Sequence, residues 1–140
     1  MQGRSRRARD AGAAAVEFAL VFPMLVVLVF GIIDFGALVN AHVTLANATR
    51  DAARAASLSA TEAEIRTQAT AGIASMSAAD RATAVTTVTC TKTAGACSPY
   101  TQATSGDTTI VSIAVTHNWL FPLWPVPAVT ISKTSQMRIE

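Results

Sequence analysis

The segment "DAGAAAVEFALVFPMLVVLVFGIIDFG", residues 10–36, constrains the fold more than any other part of the chain. From Phe18 to Ile33 only Pro23 and Gly31 interrupt an apolar run of sixteen residues, and the run reaches twenty-one from Ala13 if Glu17 is counted inside. A bilayer core asks for about 20 predominantly apolar residues, whereas about 10–14 would mark the core of a signal peptide. The run therefore predicts a membrane-length helix with a carboxylate at its mouth. Arg4, Arg6, Arg7 and Arg9 precede it against Asp10 alone, while Asp34 and few other charges follow. Positive charge favours the cytoplasmic side, which places the first dozen residues inside and the chain beyond Phe35 outside.

The position of the small residues separates this helix from a secretory signal. Such a signal ends in a small-residue cleavage site after its apolar core. Here "GIIDFGALVN" offers only a poor one, and Ala11-Gly12-Ala13-Ala14-Ala15 lies before the core. A secreted enzyme cut near Ala37 or Ala41 is thus disfavoured. The ordering of arginines, glycine, small residues and then Glu-Phe opening an apolar helix resembles the TadE-like pilus-assembly proteins, pseudopilins of the Tad (Flp) pilus. "GAAAVEFALVFPMLVVLVFGIIDFG" and the following "LVNAHVTLANATRDAARAAS" carry the likeness, over about residues 6–56. The closing "ISKTSQMRIE" is similar to the end of such proteins, more weakly.

The resemblance assigns roles to four residues. It implies that a prepilin peptidase cuts between Gly12 and Ala13, where glycine gives an uncrowded backbone. The alternative is a flexible glycine at a helix start that is never cut. Glu17, then fifth in the mature chain, would neutralise the new α-amino group of a neighbouring subunit. A carboxylate in hydrocarbon costs about 2.5–3.5 kcal/mol at the helix centre and less near the interface. Without the resemblance, Glu17 reads as a surface carboxylate favoured by the positive end of the helix. Phe18 completes the Glu-Phe pair as a packing contact.

Beyond Asp34 the helix is expected to continue, because Phe35, Val39, His42 or Val43, Ala46, Ala53 and Ala56 recur at helical steps. Asp51 and Arg54 are spaced to pair. Ala46, Ala48, Ala52, Ala53, Ala55 and Ala56 either let another backbone come close or simply reflect helix propensity. Pro23 should kink the helix. Gly31 and Gly36 are five apart and make no small-xxx-small dimer motif. Asp34 is expected to mark the outer interface.

A second helix should start at Ser59 or Thr61, with Thr61–Glu64 as a capping box, and run to about Met76. Ser77–Arg81 then forms a turn or a short helical end. Three strands follow: "TAVTTVTCT" from Thr83, an alternating stretch at Thr109–Leu120, and the stretch carrying Val129, Ile131, Met137 and Ile139. Val111, Ile113, Val115, His117 and Trp119 should share one face. The expected fold class is α+β: a long N-terminal helix, membrane-spanning in its first part, then a short helix and a small antiparallel sheet. Its divisions are a leader at 1–12, a transmembrane and assembly helix at 13–58, a second helix and turn at 59–82, and an extracytoplasmic β-rich domain at 83–140.

Cys90 and Cys97 fall in the part that topology places outside, where a disulfide is expected to close a hairpin-like loop and add about 2–3 kcal/mol. Two free thiols would fit a cytoplasmic domain instead. Two cysteines with the distant His42 and His117 lack metal-ligand spacing, and no cofactor is implied. Outside the leader, seven Lys and Arg face eight Asp and Glu, so no basic surface points to nucleic acid. Phosphate-loop and nucleophile-elbow motifs do not occur, which argues against an enzyme. "HNWLFPLWPVP" concentrates Trp119, Phe121 and Trp124 among prolines. It reads first as a bend covering the sheet edge, and second as a segment dipping into the membrane surface or gripping a partner.

The resemblance implies a minor pilin or pseudopilin in the plasma (inner) membrane, single-pass with its N-terminus cytoplasmic. The partners it implies are the prepilin peptidase, other pilins and pseudopilins, platform proteins of the inner membrane, and the lipid bilayer. The rival is a single-pass envelope binding module or adhesin whose helix is never cut.

Overall fold

The computed structural model describes residues 3–92, 95–97, 100–119, 121 and 127–140, with side chains from Gly12 onward except at 95, 96 and 102. Helix α1 (Gly3–Ser57) has 55 residues and measures roughly 80 Å at the α-helical rise. Pro23 lies inside it, and the helical backbone passes through without a break. The backbone is helical through Gly12 as well, so the leader and the apolar run form one continuous rod.

Helix α1 changes character along its length. Between Gly12 and Ile33 nearly every side chain is exposed, with only Val26 and Phe30 half-buried. From Ala41 a buried stripe begins: Ala41, Leu45, Ala48, Thr49, Ala52, Ala53 and Ala56. Of the periodic set read from the sequence, Ala53 and Ala56 lie on this stripe, whereas Phe35, Val39 and Val43 stand exposed. Alanine won because it lets neighbouring backbones come close, whereas the larger side chains would hold them apart. The Asp51–Arg54 pair is not among the ion pairs of the described residues; the helical pair that forms is Glu62–Arg66, at 2.7 Å.

Helix α2 (Glu62–Gly72) opens with Thr61 as N-cap. The Glu64 amide donates to Thr61 Oγ1 at 3.3 Å, and the Glu64 carboxylate accepts from the Thr61 amide at 2.7 Å. This reciprocal capping box was legible in the sequence. The helix stops at Gly72, four residues earlier than expected, and Ile73 and Met76 turn inward as buried side chains. A Cβ on Gly72 would lie 2.6 Å from the Cβ of Ala48, so the two helices meet almost backbone to backbone. Helix α3 (Ala78–Ala82) is one turn capped by Ser77.

The sheet comprises β1 (Val85–Lys92), β2 (Gly95–Cys97), β3 (Thr108–His117) and β4 (Val129–Arg138), in the order β2-β1-β3-β4 and antiparallel throughout. The three long strands match the sequence expectation, although β1 starts two residues later than Thr83 because α3 precedes it. The three-residue β2 was not foreseen. Alternation sorts β3 cleanly: Thr109, Val111, Ile113, Val115 and His117 are buried. On β4 and just beyond it, Ile131 and Ile139 are buried, but Val129 is exposed at the strand's start.

The inward faces of β3 and β4 meet the upper part of α1, and α2 packs against both that helix and β1. Leu45, Ile65, Ile113, Val111 and Val115 are the large buried side chains, each stabilising by about 1.5–3 kcal/mol. At the far end the Tyr100 hydroxyl reaches the carbonyls of Ala56 and Ala60, both at 3.4 Å. The Glu140 amide donates to Ser57 at 3.0 Å. The last residues of the chain are therefore tied to the last turn of α1.

Candidate functional site

Two places in this architecture can act on something outside the chain: the exposed first half of α1, and its boundary with the folded domain. In the first, Gly12 and Ala13 are exposed, and a Cβ on Gly12 would meet nothing within 4 Å. The backbone there is uncrowded, as a protease would require, but it is helical rather than extended. Cleavage would need this turn to open. Glu17 lies one turn above Ala13 on the same face of the helix, exposed. Among the described side chains no hydrogen bond or ion pair reaches it. Phe18 is exposed and stacks on Phe22 one turn on, with ring centroids 5.2 Å apart. The structure therefore brings Ala13, Glu17 and Phe18 together on one stretch of helix and buries none of them.

From Ala13 to Ile33 the helix rises about 31 Å, the thickness of a bilayer's hydrocarbon core. The most apolar stretch of this helix has none of its residues buried within the molecule. Val16, Leu20, Val21, Met24, Leu25, Leu28 and Ile32 are all exposed, far beyond what an aqueous surface tolerates as a continuous patch. One long apolar N-terminal helix of this kind fits a single-pass membrane anchor.

The outer boundary was only partly legible. Asp34 is not a solvated marker but 6% exposed, and its carboxylate accepts from the Phe121 amide at 3.3 Å. The Phe121 ring stacks on Phe30 with centroids 4.0 Å apart and planes 12° from parallel. The connection between β3 and β4 thus returns to α1 at the top of the apolar run. Trp124 of that connection lies outside the described residues. At the end of β3, His117 Nδ1 and Asp80 Oδ2 are 2.9 Å apart and both side chains are buried, while the Asn118 amide donates to Asp80 Oδ1 at 3.3 Å. This clip ties α3 to the end of β3. Nothing in the spacing of residues 80 and 117 announced it; only the alternation of β3 pointed His117 inward.

Cys90 and Cys97 face each other across the β1–β2 register, Cα to Cα 5.2 Å, and form a disulfide. The bridge holds β2 against β1, which accounts for a strand too short to stand alone. Residues 93–94 of the loop it closes lie outside the described residues. Among the described residues no three potential metal ligands cluster. Two carboxylates well outside the membrane segment are held below their ordinary range. The Thr61 amide and then its hydroxyl do this for Glu64, and the Thr104 amide does it for Asp107. Both are turn locks rather than reactive groups.

No curated protein and no solved structure matches the chain. A family comparison matches residues 12–54 to TadE-like protein, a segment running from the glycine before the apolar run to Arg54 on the packed half of α1. Proteins of that kind are structural rather than enzymatic, and the family suggests contact with other pilus components. Residues 12–54, about a third of the chain, are thus similar to the TadE-like family, whose members are involved in Tad pilus assembly.

Proposed function

We propose that the chain is a minor pilin or pseudopilin, trimmed by a prepilin peptidase between Gly12 and Ala13 and held in the inner membrane with its N-terminus cytoplasmic. The observation that carries this reading is Glu17, the sole carboxylate between Gly12 and Ile33 of an otherwise apolar and exposed helix. An unpartnered charge there costs free energy, and removal of the leader would create an ammonium to answer it in a neighbouring subunit. Before the cut no such group exists, so processing and assembly would be coupled through one ion pair. Phe35, Val39 and Val43 support the same reading. They lie on adjoining turns above the membrane segment, exposed, where the helix of a sister pilin could cover them. Platform proteins of the inner membrane would handle the trimmed chain.

The test is intact mass with N-terminal sequencing of membrane-extracted protein, from cells with and without the peptidase. A chain beginning at Ala13 only when the peptidase is present is expected. Glu17→Ala should then leave trimming intact while incorporation into pilus complexes falls by about tenfold or more, as expected for loss of a buried ion pair worth a few kcal/mol. One observation favours the rival, an uncut anchored binding module: Gly12 sits within a continuous helix. Under that reading the leader stays on in both strains.

A further inference from the structure

We infer that Trp119 and Phe121, just beyond the end of β3, make a second membrane contact: they sit in the interfacial layer of the outer leaflet and fix how deep and at what angle the folded domain rides. This rests on α1 spanning a bilayer and not on cleavage at Gly12.

Three observations converge. First, Phe121 stacks on Phe30, which lies within the apolar run, four residues before Asp34. One helical turn is about 5.4 Å, so Phe121 reaches about a turn below the first charge that follows the run. With Ala13–Ile33 in hydrocarbon, that depth is the outer edge of the acyl region. Phe121 is 39% exposed there, and Val29 and Ile33 of the adjoining helix turns are exposed too. Second, two donors of the described residues at this depth are already occupied. The Phe121 amide is bonded to Asp34, and the Trp119 indole N–H donates to the Pro127 carbonyl at 3.0 Å. Backbone near hydrocarbon is tolerated only when satisfied in this way. Asp34 is itself covered by that contact, which explains how a carboxylate can lie at the boundary without facing lipid. Third, residues 119–128 contain no charged side chain, and Pro122, Pro125 and Pro127 carry no amide N–H to satisfy. Aromatic side chains, tryptophan above all, are enriched at membrane–water interfaces.

The chain's two tryptophans, Trp119 and Trp124, both belong to the β3–β4 connection, so intrinsic fluorescence reports on it without a label. Full-length protein would be reconstituted into phosphatidylcholine vesicles, with and without lipids brominated near the headgroup end or near the methyl end of the acyl chain. Trp124→Phe leaves Trp119 as the only emitter. The expected result is quenching of Trp119 by about twofold with the shallow bromolipid, little with the deep one, and little by aqueous iodide. Phe121→Ser should cut the shallow quenching by about half while the protein still floats with vesicles through α1. Emission that ignores both bromolipids and is quenched freely by iodide would overturn the proposal, whether the segment then faces water or awaits a protein partner. Protein that fails to float with vesicles would overturn it too, through its premise. Quenching is expected to be the same for leader-bearing and trimmed chains, so failure at Gly12 and failure here remain distinct.

Discussion

The two halves of α1 are built from opposite materials. Residues 12–33 carry the large apolar side chains and bury almost none of them; residues 41–56 are rich in alanine and bury a full stripe. Hydrophobicity alone would assign the core to the wrong half. What decides is the partner each half meets. Small side chains let a sheet and a second helix close on the upper half, where Ala48 touches Gly72. Below Phe30, where Phe121 stacks on it, the lower half projects free of the domain and is matched to a solvent that is itself apolar.

The comparison breaks most sharply at two leucines. Leu45 is fully buried among the sheet and helices, and Leu45→Ala removes its contacts and leaves a cavity, costing about 3 kcal/mol. Thermal unfolding of the detergent-extracted protein should fall by about 10 °C. Leu25 lies on the exposed half, and Leu25→Ala should leave that midpoint within about 1 °C. Equal losses from both would mean that the lower half also packs within the chain.

Two glycines give the next largest contrast. At Gly72 a methyl would sit 2.6 Å from the Cβ and 2.9 Å from the Cα of Ala48, atoms that no rotamer change can move aside. Gly72→Ala must separate α1 from α2 and should cost about 2 kcal/mol, outweighing the gain in helix propensity. At Gly31 the same methyl would meet nothing within 4 Å. Gly31→Ala should therefore be neutral or slightly stabilising in circular-dichroism melts, by at most about 1 kcal/mol.

That glycine contrast also shows where the sequence was readable. Periodicity and the Thr61–Glu64 signature located the helices, and alternation located the long strands, because these patterns are set within a few residues. The Ala-rich stretch of α1 announced a close approach but not its direction. The face chosen depends on α2, whose contact at Gly72 is 24 residues away along the chain from Ala48. Strand β2 escaped notice because three residues carry no periodicity; its pairing follows from the Cys90–Cys97 bridge. Of the candidate site, Gly12, Ala13, Glu17 and Phe18 could be named from order along the chain. Asp34 and Phe121 could each be named too, one as the outer boundary and one in an aromatic bend, but not their contact with each other or with Phe30, since Asp34 and Phe121 are separated by 87 positions and only the fold brings them together.

The finest contrast lies between two glutamates. Glu64 belongs to the folded domain: hydrogen bonds from the Thr61 amide and hydroxyl hold its carboxyl below its ordinary value of 4.5. A carboxylate whose folded pKa is depressed contributes stability that is fully present above the unfolded value and is lost as pH falls through the folded one. Unfolding midpoints measured from neutral pH downward should accordingly decline below about 4.5, and Glu64→Gln should flatten a small part of that decline without touching assembly. Glu17 should behave in the reverse way. It touches no part of the folded domain, so Glu17→Gln should leave the acid profile of unfolding unchanged while weakening incorporation into pilus complexes. If instead Glu17→Gln shifted the acid profile and left incorporation intact, the lower half of α1 would belong to the domain's own stability, and the division between the two halves would fail at the residue that most depends on it.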